Sequence, residues 1–384
     1  MPGRRLTNVE REAYTGHVAS PDVIVIGAGL IGCAIAHSLA RDGASVLVLD
    51  ANAPGSGASQ ASAGMLCPYI EGTDDPTLQQ LGADSLALYD TFVARVQRDS
   101  DLQVPYVRRG TVQVAHSDEG VEGLRAIAQR LHAQGVPCQL VDDAAAVREL
   151  EPLATTQRAA LLIDVHGAVR IRDLVEALRV GSLHHNATFL HAERVARVTD
   201  RRGRLTIETH AHTFEAPHVI VTAGAWSMQL PVEGHPVIPT PPVRGQLLRL
   251  LVHGSNLRRV LWGRDCYMVP WGDEVLVGAT MEQVGFDARA TMAGVMQLCA
   301  AATTMVPALA QANFSEVRVG LRPGSPDGLP IIGISQRAPG LVYATGHFRH
   351  GALLAPLTAE LVTRIVHDPS AAVPAAMAPS RFDL

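Results

Sequence analysis

The 384-residue sequence contains no lysine. All 32 fixed positive charges are arginines, which excludes chemistry built on a lysine Schiff base or on the lysine of a phosphate-binding P-loop. Composition bias accounts for the missing residue type. Cysteine is scarce and scattered: Cys33, Cys67, Cys138, Cys266 and Cys299 are odd in number and form no CxxC pair. That pattern points away from a disulfide framework and from a cysteine zinc site, and a reducing cytosol is the expected setting. The 16 histidines show no metal-ligand spacing, so no metal is expected. No apolar run approaches the roughly 20 residues of a membrane-spanning helix. The polar residues 1–20 lack a signal-like apolar core and read as a disordered leader. A net charge of -5 excludes a broad basic field of the kind that holds nucleic acid.

What is present is a large apolar fraction. Hydrophobic residues make up 47% and charged residues 18% of the chain, enough for a sizeable core in two domains. Asp22–Asp50 reads as strand, helix, strand: the apolar run Val23–Ile26, a helical pattern to about Arg41, and a second run ending on Asp50. Amphipathic helical patterns follow over 75–100, 120–134 and 168–185, and an alternating strand pattern over 106–117. Short strands occupy 188–226. From Pro236 to Ser315 alternating strands dominate, with a helix over about 289–304. A strand at Gly340–Gly346 leads into a final helix from Leu353 to about His367. The βαβ-type pieces are therefore split along the chain, with mixed strands inserted between them. Such a layout places a ligand in the crevice between domains.

The first strand runs into GxGxxG at Gly27, Gly29 and Gly32, with Asp50 at the end of the second strand. Gly27 permits the tight turn, Gly29 lets a pyrophosphate approach the backbone, and Gly32 lets the helix pack on the sheet. The helix N-terminus offers free N–H groups to phosphates, and Asp50 can accept from ribose hydroxyls. The motif alone leaves NAD and FAD open. The small residues of "GSGASQASAGML" (Gly55–Leu66) suit close contact with a long flat ligand, where a nicotinamide dehydrogenase would have its second helix.

Four stretches in order, "VIGAGLIGCAIAHSLARDGASVLVLD", "GASQASAGML", "VIVTAGAWS" and "GLRPGSPDGLPIIG…LVYATGHFRHGALLAP", resemble the D-amino acid oxidase family of flavoproteins. Within it they are most similar to the glycine-oxidising branch of thiamine thiazole synthesis. The match spans about Pro21 to Asp368. The resemblance implies an α/β fold: a Rossmann-like FAD-binding domain from discontinuous segments (21–100, 160–235, 318–370) and a second α+β substrate domain on a mixed, largely antiparallel sheet (101–159, 236–317). Residues 371–384 would form a tail. It implies non-covalent FAD, with Leu30 and Ile31 near the pyrophosphate and Asp50 where the family more often has Glu. Ala58, Ser59, Ala63, Gly64 and Met65 would line the flavin, Val195 the adenine side, and Gly224 and Trp226 the same cavity. Gly346, His347, Phe348, Arg349, His350, Gly351, Ala352 and Leu353 would run against the flavin ring with backbone N–H groups, at the positive end of the last helix. His350 stands where the nearest relatives usually have Asn.

The same resemblance assigns Arg322 to the substrate carboxylate, with Arg349 a second cation at that end of the pocket. Tyr267 would bond or cover the substrate and Met281 would pack over it. No catalytic acid or base is expected, since hydride transfer to flavin needs little proton management. Asp327 is expected to pin the turn after Arg322. The implied reaction converts glycine, sarcosine or small D-amino acids to imines and reduces O2 to H2O2. A homo-oligomer and a thiazole-synthase pathway partner are also implied. A sarcosine or D-amino acid oxidase is the nearest alternative. Sarcosine oxidases tether flavin through a cysteine, and no cysteine lies beyond Cys299. A non-catalytic flavin-binding subunit is the alternative of another class.

Overall fold

The computed structural model describes residues 20–71, 75–201 and 203–384. Apart from Ser20, the expected leader over 1–20 lies outside the described residues.

Two sheets organise the chain. The first has six strands in the order 331–334, 341–345, 218–221, 23–26, 46–49 and 188–190. All neighbours are parallel except the antiparallel edge pair 331–334 and 341–345. Val23–Ile26 (VIVI) and Val46–Leu49 (VLVL) are buried throughout, as central parallel strands require. Helices Leu30–Arg41, Pro76–Ser100, Ile171–His184 and Gly351–His367 supply the core on one face, through Ile35, Leu39, Phe92, Leu174 and Val362 among others. The other face packs against a three-stranded meander, Val195–Arg201, Arg204–Thr209 and Thr213–Ala216.

The second sheet has eight strands in the order 313–323, 242–251, 274–278, 267–271, 260–262, 111–115, 159–163 and 139–141. It is antiparallel but for the pair 260–262 and 111–115. Alternation splits its residues between two faces. Leu248, Met268, Val275 and Val277 meet helix Met292–Met305. Leu247, Val269 and Leu276 face Ala63, Met65 and Cys67 of the other domain. A small sheet of 65–66, 167–169 and 106–107 stitches the domains together.

The domain limits drawn from the sequence shift at three places. Ala159–Ile163 pairs with Thr111–Ala115 in the eight-stranded sheet, so the return to the first domain falls after Ile163, not at 160. Asn313–Pro323 forms an edge of that sheet, so the last crossing follows Pro323, not 318. Residues 371–384 are no loose tail: Met377 and Leu384 are buried and Arg381 pairs with Asp327. All five cysteines are free. No helix among the described residues is long and apolar enough to cross a membrane.

Candidate active site

The Gly-rich turn is fixed by sterics. Gly27 has φ 111, and a Cβ there would lie 2.6 Å from the Thr222 carbonyl. A Cβ on Gly32 would strike the Gly27 carbonyl, so the helix packs on the turn only because both residues are glycine. Thr222 Oγ1 closes the loop by donating to the carbonyls of Ile26 and Gly27. No acidic residue sits in the first turn of Leu30–Arg41, which leaves its positive end uncompensated. Asp50 ends its strand with Oδ2 accepting from Ala28 N at 2.7 Å and Oδ1 from Asn52 N at 2.7 Å. Burial raises its pKa while those two N–H bonds oppose the rise.

Between the domains lies a cavity of about 480 Å³. The first domain contributes Gly27, Gly29, Leu30, Ile31, Asp50, Ala58, Ser59, Ala63, Gly64, Met65, Val195, Gly224 and Trp226. The last helix and the loop before it contribute His347, Phe348, Arg349, Gly351 and Ala352. The eight-stranded sheet and its loops contribute Tyr267, Met281 and Arg322. Gly32, Gly346, His350 and Leu353 stay out of the lining. Gly32 serves packing. Gly346 (φ 71) turns the chain against Ile331. Buried His350 caps the last helix with its backbone, and Leu353 is core, against Gly82.

Two backbone amides expected to face the cofactor are already engaged. Leu30 N donates to Ser59 Oγ at 3.0 Å, so the serine holds the phosphate-side helix end. Phe348 N donates to Pro323 O at 2.8 Å, which ties the Arg322 and Arg349 segments together. The amides beyond it, in the first turn of Gly351–His367, have no helical acceptor and point their dipole into the cavity region.

Arg322 is half-buried; its Nη1 donates to Thr280 O at 3.0 Å, and its guanidinium also bonds the Tyr267 hydroxyl. Burial lowers its pKa, and nearby Arg349 adds to that, while Tyr267 and Glu71 oppose it; a guanidinium remains charged regardless. Its space exists because Gly245 lies beneath it. Gly278 does the same for Tyr267, whose hydroxyl would be 2.5 Å from a Cβ there. Burial pushes the Tyr267 phenol up to about 12, so it stays an O–H donor. Tyr267 stacks on Trp262 with ring centres 5.5 Å apart, and the Arg349 guanidinium lies 5.9 Å over Trp262.

Arg349 is not a free cation. Its Nε and Nη2 donate to Oε1 of Glu71, whose side chain is 7% exposed, at 3.0 and 2.8 Å. Met281 lines the cavity and is 62% exposed. Asp327 turns away from Arg322: it accepts from Leu329 N and pairs with Arg381 at 2.7 Å, pinning the turn. Glu71, Gly245, Gly278 and Thr280 escaped the reading of the sequence. For the two glycines a signal existed, since an isolated glycine inside a strand marks close approach. Glu71 carried none.

These features fit a flavin dinucleotide: a cavity walled by obligate glycines, an open helix end, an acid at a strand terminus, and a second helix end opposite. Comparison with known proteins agrees. Residues 22–365 match the FAD dependent oxidoreductase family. The chain is 31% identical to the glycine oxidase of Geobacillus kaustophilus over 349 residues, 90% of this chain and 92% of that one. The crystal structure of glycine oxidase from that organism superposes with a TM-score of 0.87 at 29% identity, covering 94% of this chain and 98% of that one. A bifunctional protein ThiO/ThiG of a Nostoc species is 30% identical over 90% of this chain, but only 52% of its own length is matched.

Proposed function

This chain belongs to the FAD dependent oxidoreductase family, and we propose that it oxidises glycine, and close analogues such as sarcosine and small D-amino acids, to their imines. Oxygen is then reduced to hydrogen peroxide, and the glycine imine hydrolyses to glyoxylate and ammonia. The observation that carries the reading is Arg322, a half-buried guanidinium in the cavity wall that bonds the Thr280 carbonyl and the Tyr267 hydroxyl and keeps further N–H donors for a ligand. A planar fork of donors is the group best matched to a carboxylate.

FAD would be held by the turn at Gly27 and Gly29, by Asp50, by the Ala58–Met65 segment, and by the loop His347–Ala352. When bound it would accept the hydride of the substrate α-carbon. The chain's own task is placement. Arg322 takes the carboxylate and Tyr267, protonated across the physiological range, donates a second hydrogen bond to it. Trp262 braces Tyr267. Met281 covers the mouth and limits the side chain that fits. Glu71 neutralises Arg349, so at the end of the pocket formed by Arg322, Arg349 and Glu71 one positive charge is left over, the count that suits a monocarboxylate. Intact Arg322 and Tyr267 argue against a subunit without turnover.

The relative fused to a ThiG segment supports a role beside thiazole synthesis, and a cytosolic homo-oligomer belongs to the same proposal. The test is peroxide production by the purified yellow protein with glycine, sarcosine, D-alanine and D-proline. Glycine is expected among the active substrates. Silence with all four overturns the reading.

A further inference from the structure

We infer that His37, Asp99 and His185 form a binding site for a divalent transition-metal ion of the zinc type, set where three helices of the parallel-sheet domain end. His37 lies in the last turns of Leu30–Arg41, Asp99 is the penultimate residue of Pro76–Ser100, and His185 caps Ile171–His184. None of the three lines the flavin cavity, so the site stands apart from the proposed oxidation.

The donor atoms converge. His37 Nε2 lies 3.1 Å from Asp99 Oδ2, and His185 Nε2 lies 3.7 Å from the same oxygen. All three donors fall within 4.8 Å of one another. On a tetrahedral zinc with bonds of about 2.0–2.1 Å, ligand atoms sit roughly 3.3 Å apart. The remaining gap closes by a swing of His185, whose side chain is 33% exposed.

A simple ion pair accounts poorly for this arrangement. His37 is fully buried, yet neither ring nitrogen makes a hydrogen bond among the described residues. Nε2 is close to Asp99 Oδ2 without the alignment a hydrogen bond needs, and Oδ2 is likewise unpartnered. Two ligands aimed at one shared ion have this relation. Carbonyl ends of three helices meet here, and their dipoles favour a cation. Arg95 and Arg41 nearby oppose it.

The supports are in place. His184 Nδ1 lies 2.9 Å from the Asp99 carbonyl and holds the backbone of that ligand. Gly181 makes room for the His37 ring, which a Cβ there would approach to 3.0 Å. Two histidines and one carboxylate leave a fourth position for water, a donor set suited to zinc, nickel or cobalt and not to magnesium or calcium. Bound metal would fasten the helix layer behind the dinucleotide turn.

The test is calorimetric titration of the FAD-loaded protein, freed of metal by chelator, with zinc chloride. We expect one saturable equivalent and a rise of several degrees in Tm at excess zinc. His185→Ala sits at the open edge, and Asp99→Asn preserves shape; each should weaken zinc binding at least about tenfold while the bound flavin spectrum is unchanged. His253→Ala, at an exposed histidine elsewhere, should bind as the parent does. Absence of saturable binding in the parent, or undiminished affinity in both His185→Ala and Asp99→Asn, overturns the inference.

Discussion

Gly245 lies directly under the guanidinium of Arg322: a Cβ on Gly245 would come within 2.5 Å of Cζ. The two sit diagonally on neighbouring strands, where Val243 is the partner of Arg322 and Gly245 that of Gly320. The obstructed atoms are the far end of a flexible side chain, so Gly245→Ala should push the fork aside without unfolding the sheet. We predict a rise in KM for glycine of about tenfold or more, the equivalent of one charge-assisted hydrogen bond, with Tm nearly unchanged. Steady-state kinetics beside a thermal melt checks this; an unchanged KM counts against Arg322 as the anchor.

Replacing Arg322 itself should do more. Arg322→Ala removes a charge-assisted pair worth on the order of 2–4 kcal/mol, so kcat/KM for glycine should fall by roughly 30- to 1000-fold. Arg322→Lys should recover little of it, because a point charge does not reproduce the planar fork. Near-parental kinetics in Arg322→Lys would show that charge alone suffices.

The last helix is held open by Pro356 and repaired from outside. Pro356 has no N–H, so the Ala352 carbonyl four residues earlier lacks a helical donor. The buried Tyr89 hydroxyl donates to it instead. Ser85 Oγ donates to Leu353 O at 2.6 Å and accepts from Leu357 N at 3.3 Å, bridging the next pair. Tyr89→Phe strands a buried carbonyl and should cost about 1–3 kcal/mol. It should also weaken FAD binding, since this helix end faces the cavity. Adding Pro356→Ala returns a donor and should recover part of the loss. Thermal melts and flavin fluorescence titrations of the single and double variants measure both effects; a Tyr89→Phe protein as stable as the parent refutes the repair.

How far the sequence reveals such features depends on the range of the interaction. The strand–turn–helix of Val23–Arg41 is set by local sterics at Gly27 and Gly32, and so was legible. So was the place of Arg322 in the cavity wall, because "GLRPGSPDG" stands in a recognisable order with "GHFRHG". The Arg349–Glu71 pair was not, since its partners come from opposite ends of the chain. The same holds for His37, Asp99 and His185, which have no short spacing to betray them. The limits at 160 and 318 failed for a related reason: strand pairing with Thr111–Ala115 and Pro242–Leu251 assigns those segments, and pairing is not written in a strand's own residues.

Two buried histidines should make the fold sensitive to acid. Burial pushes His166 and His347 down to about 3, with Arg108 and His350 respectively acting in the same direction. Unfolded, each titrates near 6.5, so between those values the unfolded chain holds more protons and stability rises with pH. The stability is fully present above about 6.5 and should fall by roughly 2 kcal/mol per histidine on going from pH 7 to 5. Urea unfolding at the two pH values measures it. His347→Gln, which keeps a polar group beside Thr358, should lose less over that interval; an equal loss assigns the acid sensitivity elsewhere.

The central claim is that Arg322 holds the carboxylate of a small amino acid beside the bound FAD. Anaerobic mixing with glycine, followed by loss of the flavin absorbance, tests it most directly in the parent and in Arg322→Ala. The parent rate should saturate with glycine, and half-saturation in the variant should lie at least about 30-fold higher. Bleaching with the same half-saturation in both proteins, or none in the parent, would contradict the account.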